Sequence, residues 1–262
     1  KAIHVPEAGI VDYRQVCARM AEKVESKEEN QIFLASKVVQ MSTSGDWVVV
    51  STARGEHEAR FVVNCAGLHS DRVTSLTETP KAKIIPFRGE YFEVIPEAHH
   101  LCRNLIYPVP DPSFPFLGVH FTRMIGGGLE CGPNAVLAFA REGYTRTNVN
   151  WKDLAETLSY PGFLRLSAKY WRTGLGEMWR SFSKGAFVRA LQRLVPEIEE
   201  HHLEAVPAGI RAQAVTPEGK LVDDFLIQES SRVIHVGNAP SPAATSSLNI
   251  GRLIVEKLEA HF

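Results

Sequence analysis

The sequence predicts a mixed α/β (α+β) fold, and three stretches carry this prediction. In "FVVNCAGLHSD" an apolar run reaches Gly67 and then a helix start, which is typical of the carboxyl edge of an open α/β sheet. Residues 84–131 contain short strands interrupted by Pro and Gly, a pattern that favours an antiparallel sheet with one solvated face. Residues 151–198 have mostly helical periodicity.

The composition narrows the functional class. The chain has 262 residues, 44% hydrophobic and 23% charged, with a formal net charge of -1. This near-neutral balance argues against a nucleic-acid-binding protein. The four cysteines form no CxxC pair, which favours a reduced, cytoplasmic protein without a zinc site. No apolar run approaches the length of about 18 residues that a membrane span needs.

The first predicted element is a helix. Asp12 can cap its N-terminus, and we expect it to end near Ser26. Its apolar positions at helical spacing are Tyr13, Val16, Met20 and Val24.

Three strands are predicted next, at residues 32–41, 47–51 and 59–64. The turns "TSGD" and "ARGE" separate them, so we expect a β-meander. In the helical stretch that follows the antiparallel region, Pro161 and the pair Gly174 and Gly176 are expected to break the helices.

The C-terminal part returns to strands in "AGIRAQAV" and "RVIHVG" and ends in a helix. The junction "GNAPSPAATSSLNIG" has two interpretations. Ser241 as N-cap and Pro242 at the first helical position would start the helix. Alternatively, the small residues let a flat ligand approach the free N–H groups of the helix N-terminus. The residues alone do not decide between them.

Two apparent motifs are better explained by structure than by chemistry. The run Gly126, Gly127, Gly128 lacks a following helix, so we interpret it as a turn between two strands. Cys65 and His69 could suggest a reactive thiolate pair, but no third group is placed to orient them. Packing at the end of a buried strand is the better interpretation for Cys65.

Three polar residues in apolar strands are candidate site residues. Arg88 in "PFRGEY" precedes Gly89, where a ligand or a second backbone can come close. His120 in "LGVHFTR" is either a hydrogen-bonded core residue or a functional group. Arg211 in "PAGIRAQAV" needs an anion, and either a substrate carboxylate or a structural salt bridge would serve.

Several motifs together resemble one family of flavoproteins. They are "PEAGIVDYRQV", "VVNCAGLHSDRV", "PFRGEYF", "LIYPVPDPSFPFLGVHFTR", "GPNAVLAFAREGY", "GIRAQAV" with "GKLVDDF", and "NAPSPAATSS". Their order and spacing from residue 8 to the C-terminus are similar to those of the L-2-hydroxyglutarate oxidase/dehydrogenase group of D-amino-acid-oxidase-like FAD-dependent oxidoreductases.

The resemblance implies an FAD-dependent oxidation of (S)-2-hydroxyglutarate to 2-oxoglutarate, with hydride transfer to the flavin. For this reaction we expect a catalytic site of His120, Arg211, Arg88 and Tyr107. His120 would be the base because the usual pKa of histidine lies near neutrality, and Arg211 would be a carboxylate clamp. The resemblance assigns the cofactor site to Cys65, Ala66, Gly67, Arg88, Gly209, Ala239, Pro240, Ser241, Pro242, Ala243, Ala244 and Thr245. The helix N-terminus at "NAPSPAATSS" would stabilise negative charge on the reduced flavin.

The resemblance also implies a domain organisation. Residues 11–80 and 207–262 would form a partial, Rossmann-like FAD-binding domain with the β-meander. Residues 1–10 and 81–206 would form a substrate domain built on a mostly antiparallel sheet plus helices. The family's opening GxGxxG loop does not occur in the chain, so we expect it to be the later portion of a longer enzyme that by itself holds FAD weakly.

Several points stay open on the sequence alone. The electrons would pass to oxygen or to a quinone, the latter through peripheral association with the inner membrane. The oligomeric state is not specified by any motif. A non-catalytic remnant is one alternative function. An amino-acid or amine oxidase of the same fold, such as glycine or sarcosine oxidase, is the other.

Overall fold

The computed structural model describes residues 2–109, 118–239 and 242–261. The chain divides into two compact units, and each is described by itself. The first unit comprises residues 1–34, 90–133 and 183–206. The second comprises residues 35–89, 134–182 and 207–262. The predicted FAD-binding and substrate domains have different boundaries from these two units, and that domain organisation stays a prediction.

The helices are α1 (Tyr13–Glu25), α2 (Ser70–Thr74), α3 (Trp151–Leu158), α4 (Pro161–Phe182), α5 (Lys184–Leu191) and α6 (Ser247–Glu259). The strands are β1 (Val38–Ser44), β2 (Trp47–Thr52), β3 (Gly55–Ala59), β4 (Val62–Asn64), β5 (Lys83–Val94), β6 (His120–Arg123), β7 (Leu129–Gly132), β8 (Val136–Leu137), β9 (Leu203–Val215), β10 (Leu226–Glu229) and β11 (Val233–Asn238).

The first unit contains an antiparallel sheet with an apolar core. β6 pairs with β7, and β7 pairs with the later half of β5, where Phe92 lies opposite Cys131. The run of three glycines forms the turn between β6 and β7, as predicted, with Gly127 at φ +94°. The side chain of Phe187 from α5 packs against Phe92 with the ring centroids 4.8 Å apart. Burial of this cluster stabilises the unit.

Helix α1 also lies in the first unit, and its bounds confirm the sequence prediction. The side chain of Asp12 accepts hydrogen bonds from the backbone N–H groups of Arg14 and Gln15 at 2.9 and 3.4 Å. Within the described residues, however, α1 has no buried side chain. The apolar periodicity therefore predicts the helix correctly without identifying a partner for its apolar face.

The second unit contains two three-stranded sheets. One is the antiparallel meander β1-β2-β3, and the other has the order β10-β11-β4. In the second sheet β4 runs parallel to β11, with Asn64 opposite His235. The earlier half of β5 pairs with β8 in this unit, and β9 also pairs with β5.

Three sequence predictions about elements of the second unit are wrong. The predicted strand at residues 59–64 is divided between two strands, because β3 ends at Ala59 after pairing with β2, whereas β4 begins at Val62 and pairs with β11. The first strand begins at Val38 rather than at residue 32. Helix α4 continues through Gly174 and Gly176, and its kink lies at Tyr170 instead.

Candidate functional site

Two loops of the second unit follow the carboxyl ends of adjacent parallel strands. The 65–67 loop (Cys65, Ala66, Gly67) comes directly after β4, and the 239–245 loop comes directly after β11. The hydroxyl of Ser70, at the start of α2, donates a hydrogen bond of 3.2 Å to the carbonyl of Gly237. This bond ties the beginning of α2 to the strand end from which the second loop leaves. Such strand ends form the ligand crevice of open α/β sheets.

The backbone of the 65–67 loop is open to a ligand. Gly67 has φ +53°, a conformation that favours glycine, and an added Cβ atom would meet no atom within 4 Å. Ala66 and Cys65 are both exposed. The prediction that Cys65 packs in the interior is therefore wrong, because the strand ends at Asn64 and the chain turns outward there. Desolvation raises the pKa of the Cys65 thiol, which argues against an activated thiolate.

The 239–245 loop presents small residues to solvent. Ala239, Pro242, Ala244 and Thr245 are exposed, and Ala243 is half-buried. Pro240 and Ser241 lie outside the described residues, so their predicted roles stay predictions. The predicted helix start at Pro242 is wrong: α6 begins at Ser247. Residues 242–246 form a turn instead, in which the Pro242 carbonyl accepts the Ser246 N–H at 3.1 Å and the Thr245 hydroxyl at 3.0 Å, and the Ser247 N–H donates to the Ala244 carbonyl at 3.3 Å.

A cavity of about 930 Å³ adjoins the first of these loops. Ala66 lines it together with residues from β1, α2 and the segment before α3. Its charged and polar lining residues are Lys37, His69, Arg72, Arg141, Glu142, Asn148, Asn150 and Asp153. His69 Nε2 lies 3.3 Å from a carboxylate oxygen of Glu142. The cavity is therefore large, is lined by both charged and apolar side chains, and borders the 65–67 loop at Ala66.

A buried ion-pair network holds α2 beside this cavity, and the sequence analysis missed it. Arg141 forms a two-pronged pair with the carboxylate of Asp71, and both side chains are at most 6% exposed. The Arg141 guanidinium also donates to the carbonyl of Leu68 at 2.6 Å. Arg72 contacts the carboxylates of Asp153 and Glu156, each at 2.5 Å. The motif "AFAREGY" contains Arg141, but nothing in its spacing signals the partner.

The two candidate arginines of the second unit differ in burial. Arg88 on β5 is 5% exposed, and its guanidinium donates to the carbonyl of Thr145 at 3.2 Å. Arg211 on β9 is half-buried, and Gly209 two residues earlier is exposed. The exposed glycine leaves the backbone beside Arg211 accessible to a ligand.

The remaining two candidates, His120 and Tyr107, lie together in the first unit. Their rings stack with the centroids 4.3 Å apart and an interplanar angle of 20°. His120 Nδ1 lies 3.3 Å from the carbonyl oxygen of Gly118, so Nδ1 carries the proton that this bond requires. In the neutral ring Nε2 is then the acceptor nitrogen. The Tyr107 hydroxyl lies 3.4 Å from the Thr122 hydroxyl.

Comparisons with known proteins match this chain to flavoproteins. The family described as FAD dependent oxidoreductase (DAO) matches residues 1–257. An L-2-hydroxyglutarate dehydrogenase of Indibacter alkaliphilus is 54% identical over 97% of the chain and 64% of that protein. The enzyme of the same name from Escherichia coli K12 is 46% identical over 98% of the chain and 61% of that protein. The chain thus spans less than two thirds of the length of these relatives.

A solved structure supports the fold. The L-alpha-glycerophosphate oxidase of Mycoplasma pneumoniae with FAD bound aligns with a TM-score of 0.61 at 17% identity, over 86% of this chain and 50% of that one. At this identity the likeness concerns the fold alone.

Proposed function

The chain belongs to the DAO family of FAD-dependent oxidoreductases, and on that premise we propose that it forms the later portion of an enzyme that oxidises (S)-2-hydroxyglutarate to 2-oxoglutarate. The observation that carries the choice of substrate is the 54% identity to an L-2-hydroxyglutarate dehydrogenase along nearly the whole chain. An amine oxidase of the same fold has no such support.

The two loops of the second unit fit FAD. Gly67 leaves its Cβ position open, and the small exposed residues of the 239–245 loop admit a flat ring to the backbone. We infer that Cys65, Ala66 and Gly67 hold one part of the cofactor and the 239–245 loop another. Gly209 and Arg88 complete the proposed cofactor site. When bound, FAD takes up the hydride that leaves C2 of the substrate.

Arg211 is the proposed carboxylate clamp. A 2-hydroxy diacid brings two carboxylates, and each requires a partner when water is excluded. A guanidinium binds a carboxylate through two parallel charge-assisted hydrogen bonds. The half-buried position of Arg211 beside the exposed Gly209 supports this role, because the side chain is shielded while the backbone next to it is accessible.

His120 is the proposed general base. The proton on Nδ1 is held by the Gly118 carbonyl, which directs the acceptor nitrogen Nε2 away from that bond. Nε2 can then accept the proton of the substrate hydroxyl as the hydride leaves. Tyr107 fixes the plane of the ring by stacking on it.

For the electron acceptor we propose a quinone reached at a membrane surface, with oxygen as the alternative. Within the described ranges, no helix is long and apolar enough to cross a bilayer. Helix α4 nevertheless exposes an apolar face, formed by Trp171, Leu175, Met178 and Trp179. Basic residues flank this face, and Trp with Lys or Arg is typical of helices that lie in a membrane interface.

Vesicle co-sedimentation tests the membrane contact. Binding to anionic vesicles that weakens in a variant carrying Trp171→Ser and Trp179→Ser would support it. Equal binding of both proteins would contradict it.

Anaerobic flavin reduction tests the reaction. The full-length protein loaded with FAD is mixed with (S)-2-hydroxyglutarate, its (R) enantiomer, glycine or sarcosine, and the bleaching of the flavin band is followed. We expect rapid bleaching with the (S) enantiomer alone and 2-oxoglutarate as the product. Bleaching by the amines and not by the hydroxy acid would favour the amine oxidase. No bleaching by any of them would favour the non-catalytic remnant.

A further inference from the structure

A buried histidine that the proposed reaction does not use lies beneath the 65–67 loop. His235 on β11 is fully buried, opposite Asn64 on the parallel strand β4. Its Nδ1 atom is 3.1 Å from the side-chain amide nitrogen of Asn64. Its Nε2 atom is 2.9 Å from the hydroxyl of Thr77, just after α2. Both ring nitrogens therefore have partners inside the second unit.

The partners fix the tautomer of His235. The Asn64 side-chain oxygen accepts the backbone N–H of Ala66 at 3.1 Å, which orients the amide and turns its nitrogen toward His235. An amide nitrogen only donates, so Nδ1 of His235 must be the acceptor. Nε2 then carries the proton and donates to Thr77. The ring is neutral in this arrangement.

The electrostatic surroundings agree with a neutral ring. Burial lowers the pKa of His235, while the carboxylate of Glu78 acts in the opposite direction and does not overcome it. The neighbouring strand β10 presents the uncharged Gln228 opposite His235. The amide of Asn64 therefore faces an acceptor nitrogen at neutral pH.

The same asparagine holds the loop through its other contacts. Besides accepting from Ala66, Asn64 donates to the backbone carbonyl of Ser70 at 3.0 Å and reaches the hydroxyl of Thr74 at 3.3 Å. The loop that contains Gly67 is thus attached at Ala66 on one side and at Ser70 on the other. One buried amide sets the conformation of the segment between them.

We propose that Asn64 and His235 are positioning residues, with His235 orienting the Asn64 amide and Asn64 presenting the backbone of the 65–67 loop to FAD. Neither residue touches the reacting atoms. The proposal rests on the proposed function for the identity of the ligand, but the hydrogen-bond arrangement can be tested without it.

Nitrogen NMR of the imidazole and amide hydrogen exchange test the arrangement in protein without cofactor. We expect an Nε2-protonated, neutral His235 ring at neutral pH. We also expect slow exchange of the Ala66 N–H that becomes at least about tenfold faster in Asn64→Ala, because its acceptor is lost. An Nδ1-protonated ring, or unchanged exchange at Ala66, would overturn the proposal.

Two substitutions of His235 form a matched pair. The side-chain oxygen of His235→Asn can occupy the place of Nδ1 and accept from Asn64, whereas His235→Gln reaches toward the place of Nε2. We therefore expect His235→Asn to keep the FAD dissociation constant of the full-length protein within about threefold of wild type. His235→Gln and Asn64→Ala should raise it by about 10- to 100-fold, as for an unsatisfied buried group.

Gln228→Ala is the control for a merely structural effect. Gln228 is 7% exposed and bonds to the backbone of Lys81 and Thr79, away from the loop. We expect Gln228→Ala to lower the thermal midpoint, as Asn64→Ala should, but to leave the affinity for FAD near that of wild type. Equal losses of affinity in both variants would overturn the positioning role. A wild-type protein that holds no FAD would instead refute the proposed function, and exchange at Ala66 would still decide how the loop is held.

Discussion

The two compact units contrast in what fills their interiors. The core of the first is apolar, with Phe92, Phe121, Leu129 and Phe187 all at most 7% exposed. The second has small apolar clusters, but around α2 its interior is polar. There the Arg141–Asp71 ion pair and the Asn64–His235 hydrogen bond are buried together.

This difference shows how each unit holds its candidate residues. An apolar core tolerates substitutions that keep its volume, because dispersion forces and burial have no direction. A buried polar network requires each partner at its place, and a missing partner leaves a group unsatisfied. His120 lies at the edge of the first kind of interior, whereas the 65–67 loop depends on the second. Function should therefore separate from folding at His120, and not at Asn64 and Arg141, whose buried contacts hold the 65–67 loop and α2.

The largest expected effect is that of His120→Asn, and it tests whether function separates from folding at the edge of the apolar core. In the full-length protein, His120→Asn should lower the rate of flavin reduction by about 10²- to 10⁴-fold, the usual contribution of a general base. FAD content and thermal midpoint should stay near wild type, because the ring lies at the edge of the core. Stopped-flow reduction under anaerobic conditions measures the rate. Tyr107→Phe, which keeps the stacked ring, is the matched control and should cost far less. An unchanged rate in His120→Asn would remove this residue from the mechanism.

Arg141→Ala tests the other half of the contrast, the buried polar network of the second unit. It leaves the carboxylate of Asp71 buried without its partner, a change that typically costs about 3–5 kcal/mol of unfolding free energy. We expect FAD affinity to fall as well, since Arg141 also donates to the carbonyl of Leu68, which directly follows the 65–67 loop. Urea unfolding and flavin titration measure the two effects. Leu129→Met, a volume-conserving change within the apolar core, should cost less than about 1.5 kcal/mol and spare FAD binding. If Arg141→Ala lost as little unfolding free energy as this control variant, the contrast between a polar and an apolar interior would be wrong.

The sequence predicts those parts of the fold that local patterns determine. The cap at Asp12, the antiparallel strands of the first unit and the glycine turn before β7 all follow from spacing and turn chemistry. Long-range pairing is not encoded locally. The parallel pairing of β4 with β11, across about 170 residues, is what separates β4 from the meander.

The candidate site likewise contains residues that local sequence patterns reveal and residues whose roles depend on long-range contacts. The small residues of the 65–67 loop and the lone arginines in apolar strands are visible in the sequence. Asn64 and His235 stand in quoted motifs, "VVNCAG" and "RVIHVG", yet their roles depend on a contact between two strands. The helix start at Ser247 lies later than the Ser-Pro signal predicts, because residues 242–246 form a turn in which the Ser247 N–H donates to the Ala244 carbonyl, three residues back.

Arg211 is expected to have a somewhat smaller effect, on the transition state. In the full-length enzyme, Arg211→Ala should weaken transition-state binding by about 2–5 kcal/mol, the usual cost of truncating one partner of a buried charge pair. Arg211→Lys should recover part of it, since an ammonium lacks the planar fork. The measurements are kcat/KM for 2-hydroxyglutarate, thermal midpoint and flavin content. If Arg211 had only a structural role, Arg211→Ala would lower kcat/KM, the thermal midpoint and the flavin content together. A normal kcat/KM together with a normal flavin content in Arg211→Ala would contradict the proposed role of Arg211 as a carboxylate clamp.

The smallest expected effect is a pH dependence of the polar interior. Burial by itself would raise the pKa of Asp153, but hydrogen bonds from the Arg141 N–H and the Arg72 guanidinium prevail and hold it below its usual range. A carboxyl with a lowered folded-state pKa stabilises the fold above its unfolded pKa, about 3.9, and loses this contribution as the pH falls through the folded value.

Wild type should therefore exceed Asp153→Asn in unfolding free energy by a constant amount from neutral pH down to about pH 4, and the gap should narrow below it. Urea unfolding across this range measures the gap. Asp46→Asn is the control, since Asp46 is 86% exposed and its ion pair with Arg232 should contribute at most about 1 kcal/mol. A gap for Asp153→Asn that stays constant as the pH falls well below 4, or that is no larger than the control's, would show that the ion pairs around α2 do not distinguish this interior from an apolar one.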